Sequence, residues 1–221
     1  IGTYAFYGCK GLTNITIPSS VTSIGNYAFG NCEKVEIVYF NANLTTALSS
    51  SSLIFNSVGT NASRKGFRVV FGDGVTSVPA YMFYNNSTLI DVIAPVSIAS
   101  IGKYAFYGCS ALTHAYYMGT PANMATVTVG TNNTALATNK IYFYYDDSVG
   151  CLHEESNYWA YDENNQPEIL NYTVGDWVVT LEPTCTSTGT KEGTCTVCGE
   201  TIVVELPMLA HEFENGVCTV C

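Results

Sequence analysis

The chain repeats itself. The stretch Ile101–Leu112, IGKYAFYGCSAL, recurs as IGTYAFYGCKGL at Ile1–Leu12, as IGNYAFGNCEKV at Ile24–Val35 and, more loosely, as VPAYMFYNNSTL at Val78–Leu89. The starts at 1 and 24, and those at 78 and 101, are each 23 residues apart. A unit of about two dozen residues cannot bury its own apolar face, so it is stable only when stacked on its neighbours. The period therefore predicts a repeat solenoid.

The first copy shows what one coil is made of. Apolar residues fall at Ile1, Tyr4, Ala5, Phe6, Cys9, Leu12, Ile15, Ile17 and Val21, with glycine at Gly2 and Gly8 and proline at Pro18. Ile15 and Ile17 alternate with polar residues, which suits a short strand with one face inward. Pro18 ends that strand because it donates no ladder hydrogen bond. The Tyr-Ala-Phe segment is expected to make a single turn of helix or 3₁₀, bringing its aromatic back over the strand layer. One coil of a right-handed solenoid results, its strands stacking at about 4.8 Å per rung. Phe6, Phe29, Phe83 and Phe106 share one offset and should form a continuous spine. Cys9, Cys32 and Cys109 share another, with Asn86 in their place in the looser copy. These read as a buried column, since a catalytic thiol needs a nearby base and only His114 falls within a clear copy.

The pattern I-G-x-Y-A-F-x-G-C-x-x-L-x-x-I-x-I-P-x-x-V resembles the BspA-type leucine-rich repeat of bacterial surface proteins, over roughly residues 1–145. The resemblance implies a leucine-rich-repeat solenoid at the cell surface, engaged in adhesion to host or neighbouring cells. Residues 47–77 depart from the pattern: 31 residues without the Gly and Cys marks, yet with Phe55 near the aromatic offset. They read as one lengthened, degenerate repeat. Its Phe67–Phe71 segment should be a strand, and the segment Asn61 to Gly66 a protruding loop. Insertions in solenoids gather on one face, often the binding face, which makes Arg64 and Lys65 candidate ligand contacts. After Leu112 the pattern decays, and residues 124–145 are expected to cap the solenoid, with Ile141 to Tyr145 as the last strand.

Charge narrows the partners. Of the net −10, residues 1–145 contribute about +3 and residues 146–221 about −13. With no basic stripe and no polybasic patch, nucleic acid is an unsuitable partner. No run approaches 18 apolar residues, so no membrane insertion is expected in this stretch. The sequence opens inside a repeat and stops on a CxxC pair, as a piece of a longer protein would. Residues 146–175, with Glu154, Glu155, Asn164, Asn165 and Pro167, read as a polar connector.

Residues 176–221 hold five of the nine cysteines. Cys195-x-x-Cys198 and Cys218-x-x-Cys221 are separated by 19 residues, a spacing that suits a four-thiolate structural zinc site. Cys185 and His211 are further candidates. The segment PTCTSTGTKEGTCTVCGE…LAHEFENGVCTVC resembles a zinc-ribbon-like Cys-rich unit of secreted gut Firmicutes proteins, in which the unit itself repeats. That leaves two ligand sets, Cys195, Cys198, Cys218 and Cys221, or Cys185, Cys195, Cys198 and His211. Disulfides compete with both, since thiols pair in secreted proteins.

Sixteen tyrosines are the last unusual feature, and Tyr142 and Tyr144 alternate onto one face of the terminal strand. Exposed tyrosine is a favoured contact for proteins and sugars, so both are candidate ligand residues. No paired carboxylates or Ser/His/Asp set suggests an enzyme. Two functions remain: a secreted or cell-surface adhesion module with a protein or glycan ligand, or a structural spacer displaying a catalytic domain outside this stretch.

Overall fold

The computed structural model describes residues 1–63, 66–136, 141–144, 158–170, 174–196 and 199–210, and the backbone of 213–214 and 217–218. It divides into two compact units, Ile1–Tyr144 and Tyr145–Cys221.

The first unit runs β1 (Asn14–Ile17), β2 (Ile37–Phe40), β3 (Phe67–Phe71), β4 (Ser77–Val78), β5 (Leu89–Ala94), β6 (Ser100–Ile101), β7 (His114–Tyr117), α1 (Pro121–Met124), β8 (Thr128–Val129) and β9 (Ile141–Tyr144). Strands β1, β2, β3, β5, β7 and β9 pair in parallel in that order, one per coil. Ile15, Val38, Val69, Val92, Ala115 and Ile141 stand in one register row. The row survives the lengthened third coil, whose extra residues are absorbed outside β3. A smaller parallel ladder joins β4, β6 and β8 on another side of the coils. Alternation within each strand decides the core: in β1, Ile15 and Ile17 are buried while Asn14 and Thr16 are exposed.

The Tyr-Ala-Phe segment differs from the expected helical or 3₁₀ turn. Among the described residues the one helix is α1, and the segments before the strands are runs of turns. In the first coil the amides of Ala5, Tyr7 and Cys9 bond three residues back, to Gly2, Tyr4 and Phe6. The amides between them leave the coil: Tyr4, Phe6 and Gly8 donate to the carbonyls of Asn26, Ala28 and Gly30. A helix would keep all of these bonds within its own segment. Here every second amide serves the neighbouring coil, which requires a left-handed residue at intervals, at Tyr4 (φ 57°) and Gly8 (φ 69°). Local turn and inter-coil ladder are thus the same structure.

Aromatic stacking fills the interior. Phe6, Phe29, Phe55, Phe83 and Phe106 form one continuous stack, with successive ring centroids 5.2, 5.7, 5.7 and 5.4 Å apart and planes within 19° of parallel. Phe55 of the degenerate coil takes its place in it. The four inner rings are buried, whereas Phe6 is 43% exposed. The cysteine column has a second role beyond filling space. Cys32 Sγ donates to the Phe6 carbonyl at 3.1 Å, and Cys109 Sγ donates to the Phe83 carbonyl at 3.1 Å. Asn86, in the same offset, donates from Nδ2 to the Phe55 carbonyl at 3.0 Å. A cysteine and an asparagine are interchangeable there because both put a donor against the previous coil. The motif glycine has a steric reason: a Cβ on Gly102 would lie 2.3 Å from the Ala80 nitrogen.

The second unit holds β10 (Tyr158–Tyr161), β11 (Pro167–Leu170), β12 (Val178–Leu181), β13 (Gly189–Thr194), β14 (Thr201–Leu206), β15 (Phe213–Glu214) and β16 (Val217–Cys218). Part of the stretch expected to be a polar connector is therefore a hairpin: β10 and β11 pair antiparallel around a turn in which Asp162 Oδ1 accepts from the amides of Asn164 and Gln166. Trp159 is fully buried. Strands β12, β13 and β14 form an antiparallel sheet, and β15 pairs with β16.

Candidate recognition surface

The repeated turns carry tyrosine outward. Tyr4, Tyr27, Tyr81 and Tyr104 occupy equivalent places in four coils, all left-handed at φ 57°, 52°, 60° and 58°. A bulky side chain in that region costs about 1–2 kcal/mol of backbone strain. Ring pairing, worth about 0.5–1.5 kcal/mol per pair, offsets part of it. Tyr4 stacks on Tyr27 at 5.3 Å and 5°, and Tyr81 on Tyr104 at 5.1 Å and 6°. A second column runs beside the first: Tyr84 stacks on Tyr107 at 5.4 Å, and Tyr7 meets Tyr4 edge-on at 5.3 Å and 75°. Asn31 Nδ2 donates to the Tyr7 hydroxyl at 2.7 Å. Tyr4, Tyr7 and Tyr107 remain 55%, 46% and 39% exposed.

These tyrosines fall in two groups because the third coil has none. Leu53 stands where the first column would continue, and Asn56 where the second would. Between the third and fourth coils the turn ladder also lapses: among the described residues neither Phe55 nor Ser57 donates its amide to the fourth coil. The coils part there, opening a cavity of ≈ 100 Å³ lined by residues from Ser52 to Thr60 and from Met82 to Thr88.

The outward face of the parallel sheet is different in character. Arg68, Asp91 and His114 are register neighbours on β3, β5 and β7. Arg68 donates from Nε and Nη2 to Asp91 Oδ2 at 3.3 and 3.0 Å, and His114 Nδ1 lies 3.1 Å from Asp91 Oδ1. Arg68 and Asp91 are buried, so a buried ion pair extended by the His114 contact ties three coils together. Tyr39 stands exposed on the same sheet face, two strands away from Asp91.

Of the ligand candidates read from the sequence, Tyr142 and Tyr144 are half-buried on β9. Tyr142 packs at 5.5 Å from the His114 ring and 5.9 Å from Tyr116. Arg64 and Lys65 lie outside the described residues. The described part of their loop does not stand free, since Asn61 Nδ2 donates to Glu33 Oε2 at 2.7 Å and Ser63 Oγ donates to Glu36. Tyr4 counts among the apolar residues of the first copy, yet it stands exposed. One signal was available: a copy with two tyrosines flanking its phenylalanine carries more rings than a single interior column holds.

Burial pushes the Cys109 thiol up to about 12, and raises that of Cys32 as well. Both stay protonated at neutral pH and act as hydrogen-bond donors. In the tail, Cys195 is buried in a tight turn where the Gly199 amide (φ 73°) donates to the Cys195 carbonyl at 3.0 Å. Cys185 is disulfide-bonded, so its sulfur is not available as a thiolate in this form. Cys198, His211, Cys221 and the side chain of Cys218 lie outside the described residues. Among the described residues no three His, Cys, Asp or Glu side chains group as a metal site would require.

No curated protein matches the chain in sequence. Among solved structures it is similar to a leucine-rich cell surface protein of Faecalibacterium prausnitzii A2-165, at 26% identity and a TM-score of 0.43. That match covers 58% of this chain and 32% of the other, so the chain spans about a third of the length of that protein. The model of the BspA type leucine rich repeat region matches in 6 copies across residues 1–123. With more than half of its length matched, the chain belongs to the BspA-type leucine-rich repeat family.

Proposed function

We propose that the chain is a secreted or cell-surface, non-enzymatic binding module that adheres to macromolecules of host or neighbouring cells through the tyrosine-bearing turn face of its solenoid. The exposed tyrosine columns carry this reading. They are held rigid by inter-coil hydrogen bonds and stacking, so little side-chain entropy is lost when a partner docks. Tyrosine offers both an apolar face and a hydroxyl to a protein or glycan partner. The family's surface-protein character supports the location. Arg64, Lys65, Tyr142 and Tyr144 are proposed as additional ligand contacts, and zinc held by Cys195, Cys198, Cys218 and Cys221 as the organiser of the tail.

The test is retention of cells. Full-length chain coupled to beads should retain epithelial or bacterial cells, and a Tyr4→Ser, Tyr7→Ser, Tyr107→Ser triple variant with unchanged circular dichroism should lose most of that retention. If the unaltered chain retains neither cell type, the display-spacer reading takes its place.

A further inference from the structure

We propose that the cavity between the third and fourth coils binds one pyranose ring of a neutral glycan, the sugar standing where the third coil lacks a tyrosine. This rests on the binding-module reading and names the ligand class for one part of its surface.

The argument begins with the gap. On the side of the fifth coil Tyr84 is covered by Tyr107, its stacking partner at 5.4 Å. On the side of the third coil the equivalent position is Asn56, and Tyr84 and Asn56 both line the cavity. One aromatic wall is therefore left without the ring that would continue its column. A pyranose presents a flat row of C–H groups that suits such a wall, with its hydroxyls at the rim.

The remaining walls match that rim. Asn56, Ser57, Thr60, Asn85 and Ser87 contribute amides and hydroxyls, and no charged side chain among the described residues lines the cavity. Asn56 Nδ2 donates to Ser57 Oγ at 3.1 Å, and among the described residues no donor reaches Asn56 Oδ1. Asn86 is not a contact of this kind. Its oxygen already accepts from Thr88 and Leu89 and its nitrogen donates to Phe55, so it fixes the floor. Ser57 and Asn85 are both left-handed, at φ 55° and 54°, and present their side chains from tight turns. A cavity for one water needs about 10–15 Å³ on this measure, so ≈ 100 Å³ accommodates a ring of several heavy atoms. An aromatic wall with a few placed polar groups and no charge is the chemistry of a neutral-sugar subsite. A phosphate or a uronate would find no cation among the described lining residues.

The experiment is calorimetric titration of the full chain with cellotetraose, mannotetraose and chitotetraose, with an oligogalacturonate as the charged comparison. At least one neutral tetraose should bind, and the oligogalacturonate should not. Asn56→Tyr restores the missing ring of the column and should occlude the site, weakening binding by about tenfold or more. Tyr84→Ala should do the same by removing the wall. Circular dichroism and melting temperature report whether either variant has lost the fold. If none of the three neutral tetraoses binds, or if both folded variants bind like the unaltered chain, the proposal is overturned. Cell retention that persists alongside either of those results would leave the broader binding reading standing.

Discussion

Shortening Phe83 to alanine measures how far the solenoid depends on its aromatic stack. Phe83 is 1% exposed and lies between Phe55 at 5.7 Å and Phe106 at 5.4 Å, with Phe71 edge-on at 6.3 Å. A buried Phe→Ala change costs about 3–5 kcal/mol through lost transfer energy and the cavity left behind. Phe6 provides the internal comparison, because it has the same repeat offset but is 43% exposed and has one stacking partner, Phe29. With little more than half of its surface buried, and with solvent rather than a void replacing the ring, Phe6→Ala should cost about 1–2 kcal/mol. Urea unfolding followed by circular dichroism resolves a difference of that size, provided that the slope of the transition is unchanged. A slope that changes in Phe83→Ala would itself be informative, since neighbouring coils in a solenoid can uncouple. Equal losses for the two variants would refute the claim that interior stacking, rather than local turn structure, holds the coils together.

Other outcomes follow from the same geometry. Asp91→Ala removes the carboxylate that accepts from Arg68 Nε and Nη2 and lies against His114 Nδ1, and should destabilise the chain by about 3 kcal/mol; a double-mutant cycle with Arg68→Met, which should show a coupling energy between the two, is the check. Burial pushes the Cys109 thiol up from its ordinary value of 9.0 to about 12, so the folded state holds that proton more tightly than the unfolded chain does. Its contribution is complete below pH 9.0 and is lost as pH rises toward about 12. Cys109→Val, the residue type that Val58 supplies at this offset in the third coil, should flatten the fall of the urea midpoint between those limits. For the tail, metal analysis of the purified chain together with a thiol count should find stoichiometric zinc; metal-free protein with two tail disulfides and one cysteine left over would replace the zinc proposal with disulfides.

The repeat told most about the fold, and the reason is geometric. A residue at a fixed offset in each coil meets its counterparts in the coils on either side, so one recurring Phe is enough to forecast the column that Phe6, Phe29, Phe83 and Phe106 form with Phe55. The strand after each turn was legible for the same reason, through the alternation at Ile15 and Ile17. The turn itself was not. An apolar Tyr-Ala-Phe is compatible with a helical turn, and nothing local says that every second amide will be spent on the next coil.

Sequence alone determined that this chain stacks coils, which coil is irregular, and that the recurring phenylalanines and cysteines form columns, because those properties depend on period and polarity. Only the tertiary structure decided which aromatic rings face outward. At Tyr4, Tyr81 and Tyr104 the amide of the left-handed residue donates to the next coil, and the backbone so held swings apolar-looking residues onto the surface. The cavity has the same origin, opening where the third coil's ladder to the fourth lapses and no local pattern marks the break.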